Sequence, residues 1–260
     1  MSAIDRRANC FLIHFGILAA FLPTGCADPK PRHVSAPDRG LVVLLPGVEG
    51  NTWQLTGTVN GLHDAGLDRE IDIISWGSPP LHSIQNLTNY PENQKRAQRI
   101  ATRIADYYRG FPDQPVTLIG FSGGGGLAVM AAEVLPNDVS LDRLILIGAA
   151  VAPDHDLAGV ISRCKRGVIN FYSEADWFIL GVGTQVFGTI DRKNTSSAGH
   201  IGFLDGEGKL RESSGLTQIA WELAWMKTGH DGGHIGWLAR NWARDYLAPA
   251  IIATSVPTKP

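Results

Sequence analysis

The sequence predicts an α/β fold in which helices cover both faces of a mainly parallel sheet. Short apolar runs, each of a length suited to a buried strand, alternate along the chain with segments of helical periodicity. Glycine accounts for 30 of the 260 residues, well above the average of about 7%, as turns between packed strands and helices require. Strands that alternate with helices are joined by right-handed crossovers, and such crossovers produce parallel pairing.

Five strands and three helices follow from these patterns. The strands are predicted at Leu41–Leu45, Ile71–Trp76, Pro115–Phe121, Leu144–Ala149 and Val168–Tyr172. The helices are predicted at Pro91–Arg109, Leu127–Leu135 and Trp237–Leu247, with Pro249 ending the last one. We expect one domain over residues 40–252, followed by a tail at 253–260.

Composition excludes several classes of protein. Lys and Arg number 23 against 25 Asp and Glu, without a block of like charge, so no nucleic-acid partner is expected. No run of 18 apolar residues is available to span a bilayer as a helix. Three cysteines cannot build a disulfide scaffold, and no paired Cys or His spacing indicates a metal site. We expect neither a metal nor another cofactor.

The first 26 residues have the pattern of an export signal. Arg6 and Arg7 precede the apolar run Phe11–Leu22, which is too short to span a bilayer comfortably. The run ends in Leu22-Pro23-Thr24-Gly25-Cys26, which resembles the lipobox of bacterial lipoproteins. That resemblance implies acylation of Cys26, a membrane anchor, and a periplasmic or outer-membrane location. An ordinary cleaved signal, an uncleaved anchor and a cytosolic protein are the alternatives. Residues 27–39 contain three prolines and are predicted to form an extended tether.

The turn after the third predicted strand carries the clearest chemical signal. Gly120-Phe121-Ser122-Gly123-Gly124 matches G-x-S-x-G between a strand and a helix, the context in which this motif presents a serine nucleophile. The glycines on either side of Ser122 allow the strand and the helix to approach without a Cβ clash. Two other interpretations compete. Gly123-x-Gly125-x-x-Ala128 formally fits a dinucleotide fingerprint, and the segment is otherwise a purely structural glycine turn.

On this motif and the order of its strands, the chain resembles the α/β-hydrolase fold family over roughly Gly40 to Pro249. The resemblance implies a catalytic triad in the chain order serine, acid, histidine, with Ser122 as the nucleophile. The family's acid follows the strand that corresponds to Val168–Tyr172, which indicates Asp176. Glu174 and Asp154 are the alternatives for this role.

The same resemblance implies an oxyanion hole made of two backbone N–H groups. One belongs to Gly123, and the other comes from the loop Leu45–Gly50, at Val48 or else at Glu49. Only Val151 to Arg166 lies between the two strands that precede the acid, so little or no lid is expected there. Apolar residues after the acid either roof an acyl pocket or pack on the sheet: Phe178, Ile179, Leu180, Val182, Val186 and Phe187.

Two near-copies of one pentapeptide compete to supply the catalytic histidine. They are Gly199-His200-Ile201-Gly202-Phe203 and Gly233-His234-Ile235-Gly236-Trp237. Spacing favours His200, 24 residues after Asp176, whereas His234 is 58 residues away. The family's histidine precedes the final helix, however, and only His234 is followed by one. We therefore predict His234 as the base, with His200 and His230 as alternatives. His63, His82 and His155 have no partner that the sequence identifies.

These residues together predict a serine hydrolase that cleaves a carboxylic ester of a small molecule or a lipid. Ser122 attacks, His234 takes its proton, and Asp176 orients His234. A peptidase or a thioesterase would use the same triad. The alternative from another class is a hydrolase-like binding protein without turnover.

Overall fold

The computed structural model describes residues 36–50, 52–77, 83–176, 189–191, 193 and 195–253. The export signal, Cys26 and most of the tether lie outside these residues, as do His82 and the six apolar residues after Asp176. The described end of the tether differs from the prediction. Pro37–Arg39 form a 3₁₀ turn, and Tyr107 Oη donates a hydrogen bond to Pro37 O at 2.5 Å. Proline suits such a turn because its ring holds φ near −65°.

Six parallel strands form one sheet in the spatial order β2-β1-β3-β4-β5-β6. They are β1 Leu41–Leu45, β2 Glu70–Ile73, β3 Val116–Phe121, β4 Arg143–Ile147, β5 Val168–Tyr172 and β6 Leu216–Ala220. Every residue of the four central strands is buried, because helices cover both faces of the sheet. The predicted fold class is confirmed.

The helices divide between the two faces of the sheet. They are α1 Thr56–Asp64, α2 Ser83–Thr88, α3 Tyr90–Gly110, α4 Gly123–Glu133, α5 Ala158–Ser162, α6 Ala198–Ile201, α7 Arg240–Trp242 and α8 Ala248–Ile252. Leu41, Val43 and Leu45 of β1 face a core shared with α3, α4 and α5, whereas Val42 and Leu44 face a core shared with α1, α7 and α8. No helix in the described part of the chain is long and apolar enough to cross a membrane.

Shorter turns complete the chain. Residues Thr52–Leu55, Leu223–Thr228 and His234–Leu238 form 3₁₀ helices, and Ala243–Leu247 form a π-helical turn between α7 and α8. The connection between β4 and β5 contains the single short helix α5.

Three elements differ most from their predicted boundaries. β2 ends at Ile73 rather than Trp76, and beyond it the side chains of Ser75 and Trp76 donate hydrogen bonds to carbonyls of the loop after β1. Helix α4 begins at Gly123 rather than Leu127, so four successive glycines lie at its start. The final helical segment does not end at Pro249. The proline lies near the start of α8, which continues directly from the π-helical turn Ala243–Leu247.

Candidate active site

Ser122 lies at the sharp turn between β3 and α4, near the centre of the sheet. Its backbone has φ 55° and ψ −123°, and it is the one non-glycine residue with positive φ in the described ranges. The Ser122 N–H donates to Ile147 O at 3.0 Å, and the Ser122 carbonyl accepts from Gly125 and Ala150 at 2.9 and 3.0 Å. A conformation of this kind costs about 1–3 kcal/mol and persists only where its surroundings hold it. Here the backbone of Ser122 is held by its hydrogen bonds to the end of β4, to Ala150 and to the first turn of α4.

Glycine is required on both sides of this serine. A Cβ on Gly120 would lie 2.5 Å from the Cα of Gly125, and a Cβ on Gly124 would lie 2.5 Å from Leu45 O. Because both obstacles are backbone atoms, no side-chain rearrangement relieves them. The two glycines therefore bring strand and helix close enough to form the turn that raises Ser122.

The loop after β1 packs against this turn, and four of its carbonyl groups accept hydrogen bonds. Four carbonyls accept hydrogen bonds: Pro46 O from Trp76 Nε1 (2.7 Å), Gly47 O from Gly50 N (2.8 Å), Val48 O from Asn86 Nδ2 (2.8 Å) and Gly50 O from Ser75 Oγ (2.6 Å). Asn86 is itself bound by Arg96 Nη2 at 3.3 Å. These bonds fix the orientation of the peptide groups in the loop.

The loop brings the two predicted oxyanion-hole residues together. A Cβ on Gly123 would run into Cγ1 of Val48, and a Cβ on Gly47 would lie 3.5 Å from the Cβ of Ser122. In the part of the chain that the structure describes, neither the Val48 N–H nor the Gly123 N–H donates to a backbone carbonyl.

Asp176 and His234 form a close pair at the carboxyl end of β5. Asp176 Oδ2 lies 2.6 Å from His234 Nδ1, and the Asp176 side chain is 2% exposed. The His234 ring packs on Phe121, the residue before Ser122, with ring centroids 4.8 Å apart. No hydrogen bond joins Ser122 Oγ to the imidazole in these described segments. Such contacts between nucleophile and base often tighten only in the substrate complex.

No protein-family model matches the sequence, and no curated protein sequence matches it. Solved structures do match the fold. Lipase B of Aspergillus fumigatus gives a TM-score of 0.50 at 14% identity, with 82% of this chain and 52% of that chain covered. A Bacillus licheniformis lipase in its mature form gives 0.46 at 15% identity, over 86% and 96% of the two chains. The RedJ thioesterase of Streptomyces coelicolor gives 0.44 at 14% identity, over 94% and 95%.

The chain has the α/β-hydrolase fold. The strand order, the turn at Ser122 and the similarity to lipase B establish it, and at such low identity the similarity concerns the fold alone. An α/β-hydrolase fold brings the ends of β1, β3 and β5 to one edge of the sheet. Val48, Ser122 and Asp176 each follow one of these strands.

The other candidates for acid and base lie in different surroundings within this α/β-hydrolase fold. His200 Nε2 lies 3.1 Å from the carbonyl of Glu174, and His200 Nδ1 has no hydrogen-bond partner among the described residues. Asp154 is exposed and pairs with Lys193 at 2.6 Å, and this ion pair lowers the pKa of Asp154. His230 is buried among tryptophans, and its ring nitrogens contact no carboxylate within the described part of the chain. None of them forms a pair like that of Asp176 with His234.

The residues that formally fit a dinucleotide fingerprint lie inside the packed start of α4. A Cβ on Gly125 would lie 2.5 Å from that of Ala149, and Ile190 occupies the equivalent space at Gly126. The backbone there is covered by side chains of the same chain. Among the described residues no group of three or more His, Cys, Asp or Glu side chains is arranged to hold a metal ion.

His155 has two partners that the sequence did not identify. Its Nδ1 lies 3.0 Å from Asp191 Oδ2, and its Nε2 lies 2.8 Å from Glu133 Oε1. These two carboxylates raise the pKa of His155 to about 9, against the effect of burial. The cluster ties Asp191 to the end of α4 and to the loop after β4, whose Ala152 N–H also donates to Asp191 at 3.1 Å.

This cluster predicts a pH-dependent contribution to stability. A histidine whose pKa is raised in the folded state stabilises the protein fully below its unfolded value of 6.5, and the contribution disappears as the pH rises through about 9. We expect the urea midpoint of the wild type to fall relative to that of His155→Gln across this interval. Urea titrations of both proteins from pH 6 to pH 10 measure the difference. A difference between the two urea midpoints that stays constant with pH would contradict a raised pKa of His155.

Several residues that hold the site were not found from the sequence. Ser75, Trp76 and Asn86 anchor the carbonyls of the loop after β1, and each lies at least 25 residues from its partner. Ser173 Oγ donates to Gly232 O at 2.6 Å and joins the acid's loop to the histidine's loop. No local pattern signals such bonds, because each depends on where a distant segment packs.

Proposed function

We propose that the protein is a serine hydrolase that cleaves carboxylic esters through an acyl-serine intermediate. The observation that carries this proposal is the buried Asp176–His234 pair at 2.6 Å, packed through Phe121 against the strained turn of Ser122. Three chemically distinct groups thus meet at one edge of the sheet: a hydroxyl, an imidazole and a carboxylate. Their arrangement suits nucleophilic catalysis assisted by a general base.

Acylation uses each group in turn. The Ser122 hydroxyl oxygen attacks the ester carbonyl while its proton passes to Nε2 of His234. Asp176 accepts a hydrogen bond from the Nδ1–H and stabilises the imidazolium that forms. The N–H groups of Val48 and Gly123 donate to the developing oxyanion. The imidazolium then returns its proton to the departing alcohol, and the acyl group stays on Ser122.

Deacylation repeats the sequence with water in place of the serine. His234 takes a proton from a water molecule, which attacks the acyl-serine carbonyl. The same two N–H groups stabilise the second oxyanion, and the proton returns to Ser122 as the carboxylic acid leaves. The hydrogen-bonded carbonyls of the loop after β1 support this role, since a hole whose donors are already oriented needs little rearrangement during the reaction.

A fluorophosphonate probe tests the proposal. We expect it to label the folded protein at Ser122 and to leave the Ser122→Ala variant unlabelled, with peptide mass spectrometry identifying the site. Turnover of p-nitrophenyl esters, acyl thioesters and peptide anilides then distinguishes esterase from thioesterase and peptidase. A folded wild type that neither reacts with the probe nor hydrolyses any of these substrates would favour a binding protein that retains the fold without turnover.

A further inference from the structure

His230 is fully buried four residues before His234 and takes no part in the proposed proton transfers. Its ring packs against Trp237 with centroids 4.1 Å apart and planes at 75°, and against Trp242 at 5.6 Å and 80°. Burial in these surroundings lowers the pKa of His230 to about 4. The ring is therefore neutral throughout the pH range in which an imidazole base such as His234 is expected to work.

A hydrogen bond determines which nitrogen of His230 carries its proton. The Gly232 N–H donates to His230 Nδ1 at 3.1 Å, so Nδ1 is an acceptor and the proton lies on Nε2. Nε2 has no hydrogen-bond partner among the described residues. The surroundings of His230 thus favour a neutral imidazole whose Nδ1 accepts a hydrogen bond.

Gly232 is bound from the other side as well. Its carbonyl accepts the Ser173 hydroxyl at 2.6 Å, and the Ser173 carbonyl accepts the Asp176 N–H at 3.1 Å. Gly232 has φ 92°, a conformation that side chains disfavour, and a Cβ there would lie 2.9 Å from that of Ala175. Both backbone polar groups of Gly232 are therefore held, one by His230 and one by the segment that carries Asp176.

We propose that His230 is a positioning residue for the catalytic histidine. As a neutral acceptor for the Gly232 N–H it acts with Ser173 to fix the backbone two residues before His234, and so holds the imidazole against Asp176. This inference rests on the proposed function, in which His234 is the base. His230 itself touches no reacting group, and a purely structural aromatic residue would not need an acceptor at the δ position.

Two variants at this position separate the acceptor from the packing. His230→Phe keeps an aromatic ring of similar size without an acceptor, whereas His230→Asn places an oxygen near the position of Nδ1 without a ring. Trp242→Phe is the matched control, because it disturbs the same aromatic cluster without contact to Gly232. The measurements are the exchange of the His234 Nδ1 proton with water, followed by NMR of ¹⁵N-histidine protein, and kcat and KM for a p-nitrophenyl ester.

We expect His230→Phe to accelerate this proton exchange and to lower kcat about tenfold without a change in KM, since a misplaced catalytic group costs roughly this much or more. His230→Asn should have a proton-exchange rate and a kcat close to those of the wild type, even if its unfolding midpoint is lower. Trp242→Phe should change the unfolding midpoint alone. Ser173→Ala removes the second bond to Gly232 and should also accelerate the exchange, which provides a test if His230→Phe does not fold.

The inference would be overturned if His230→Phe had the proton-exchange rate and kcat of the wild type. It would also be overturned if His230→Phe and His230→Asn were impaired equally. In either case His230 would be a packing residue. Failure of the proposed function would look different. In that case the wild type would neither react with the fluorophosphonate nor hydrolyse the ester, while the proton-exchange comparison among the variants would still decide whether His230 positions His234.

Discussion

Replacement of His234 by alanine is expected to lower kcat for ester hydrolysis by about 10⁴- to 10⁶-fold, with KM little changed. The loss is large because Ser122 then has no base within reach of its hydroxyl, and Asp176 is left without a partner. Steady-state hydrolysis of a p-nitrophenyl ester measures kcat, and circular dichroism verifies that the variant is folded.

His200→Ala is the matched control for this experiment, because His200 lies in a near-copy of the same pentapeptide. Its Nε2 faces the carbonyl of Glu174 rather than a carboxylate, so we expect kcat within a few fold of the wild type. Retained activity in His234→Ala together with a large loss in His200→Ala would reverse the assignment of the base.

Asp176→Asn is expected to lower kcat by about 10⁴-fold while preserving the shape of the site. The carboxylate accepts a hydrogen bond from the Nδ1–H of His234, whereas an amide can donate its own N–H to Nδ1 and thereby favour the tautomer that carries the proton on Nε2. A histidine in that tautomer cannot take the proton of Ser122. The ratio of kcat values for the two proteins measures the effect.

Glu174→Gln makes the same chemical change two residues away, on an exposed side chain. We expect it to have near wild-type kcat, which would assign the effect of Asp176→Asn to the contact with His234 rather than to loss of a negative charge. A similar loss in both variants would indicate that the local charge matters and that the 2.6 Å contact does not.

The parts of the fold that the sequence predicts are those that local pattern determines. Strands β1 and β5 have the predicted boundaries because their apolar runs are buried on both faces. Asp176 contacts His234, the histidine chosen from the helical segment after it, and the role of His234 as the base stays a prediction. The segment between the two residues contributes strand β6 to the sheet, so residues 58 positions apart along the chain lie in contact.

The elements that were missed depend on distant contacts. β6 shows little alternation of apolar and polar residues, and it is only half-buried because it lies at the edge of the described sheet. Its Gln218 side chain forms hydrogen bonds with the backbone of Phe203. Helix α1 contains two glycines, so its sequence has low helix propensity. Gly61 nevertheless allows the helix to pack against the backbone of Arg240. The early start of α4 has the same cause, since its four glycines allow close contact with the loops after β1 and β4 and with Ile190, and helix propensity does not predict it.

The contact between Asp176 and His234 closes a chain segment of 58 residues, and this has a consequence for evolution. The entropic cost of closing a loop grows slowly, by about 0.6 kcal/mol for each doubling of its length. With Ser173 and Asp176 bound to the far end of the segment, we expect insertions and deletions at its surface to change stability little and to leave the side chains of Asp176 and His234 in contact. Divergent descendants of this chain can therefore vary in the length of this segment while they keep that contact.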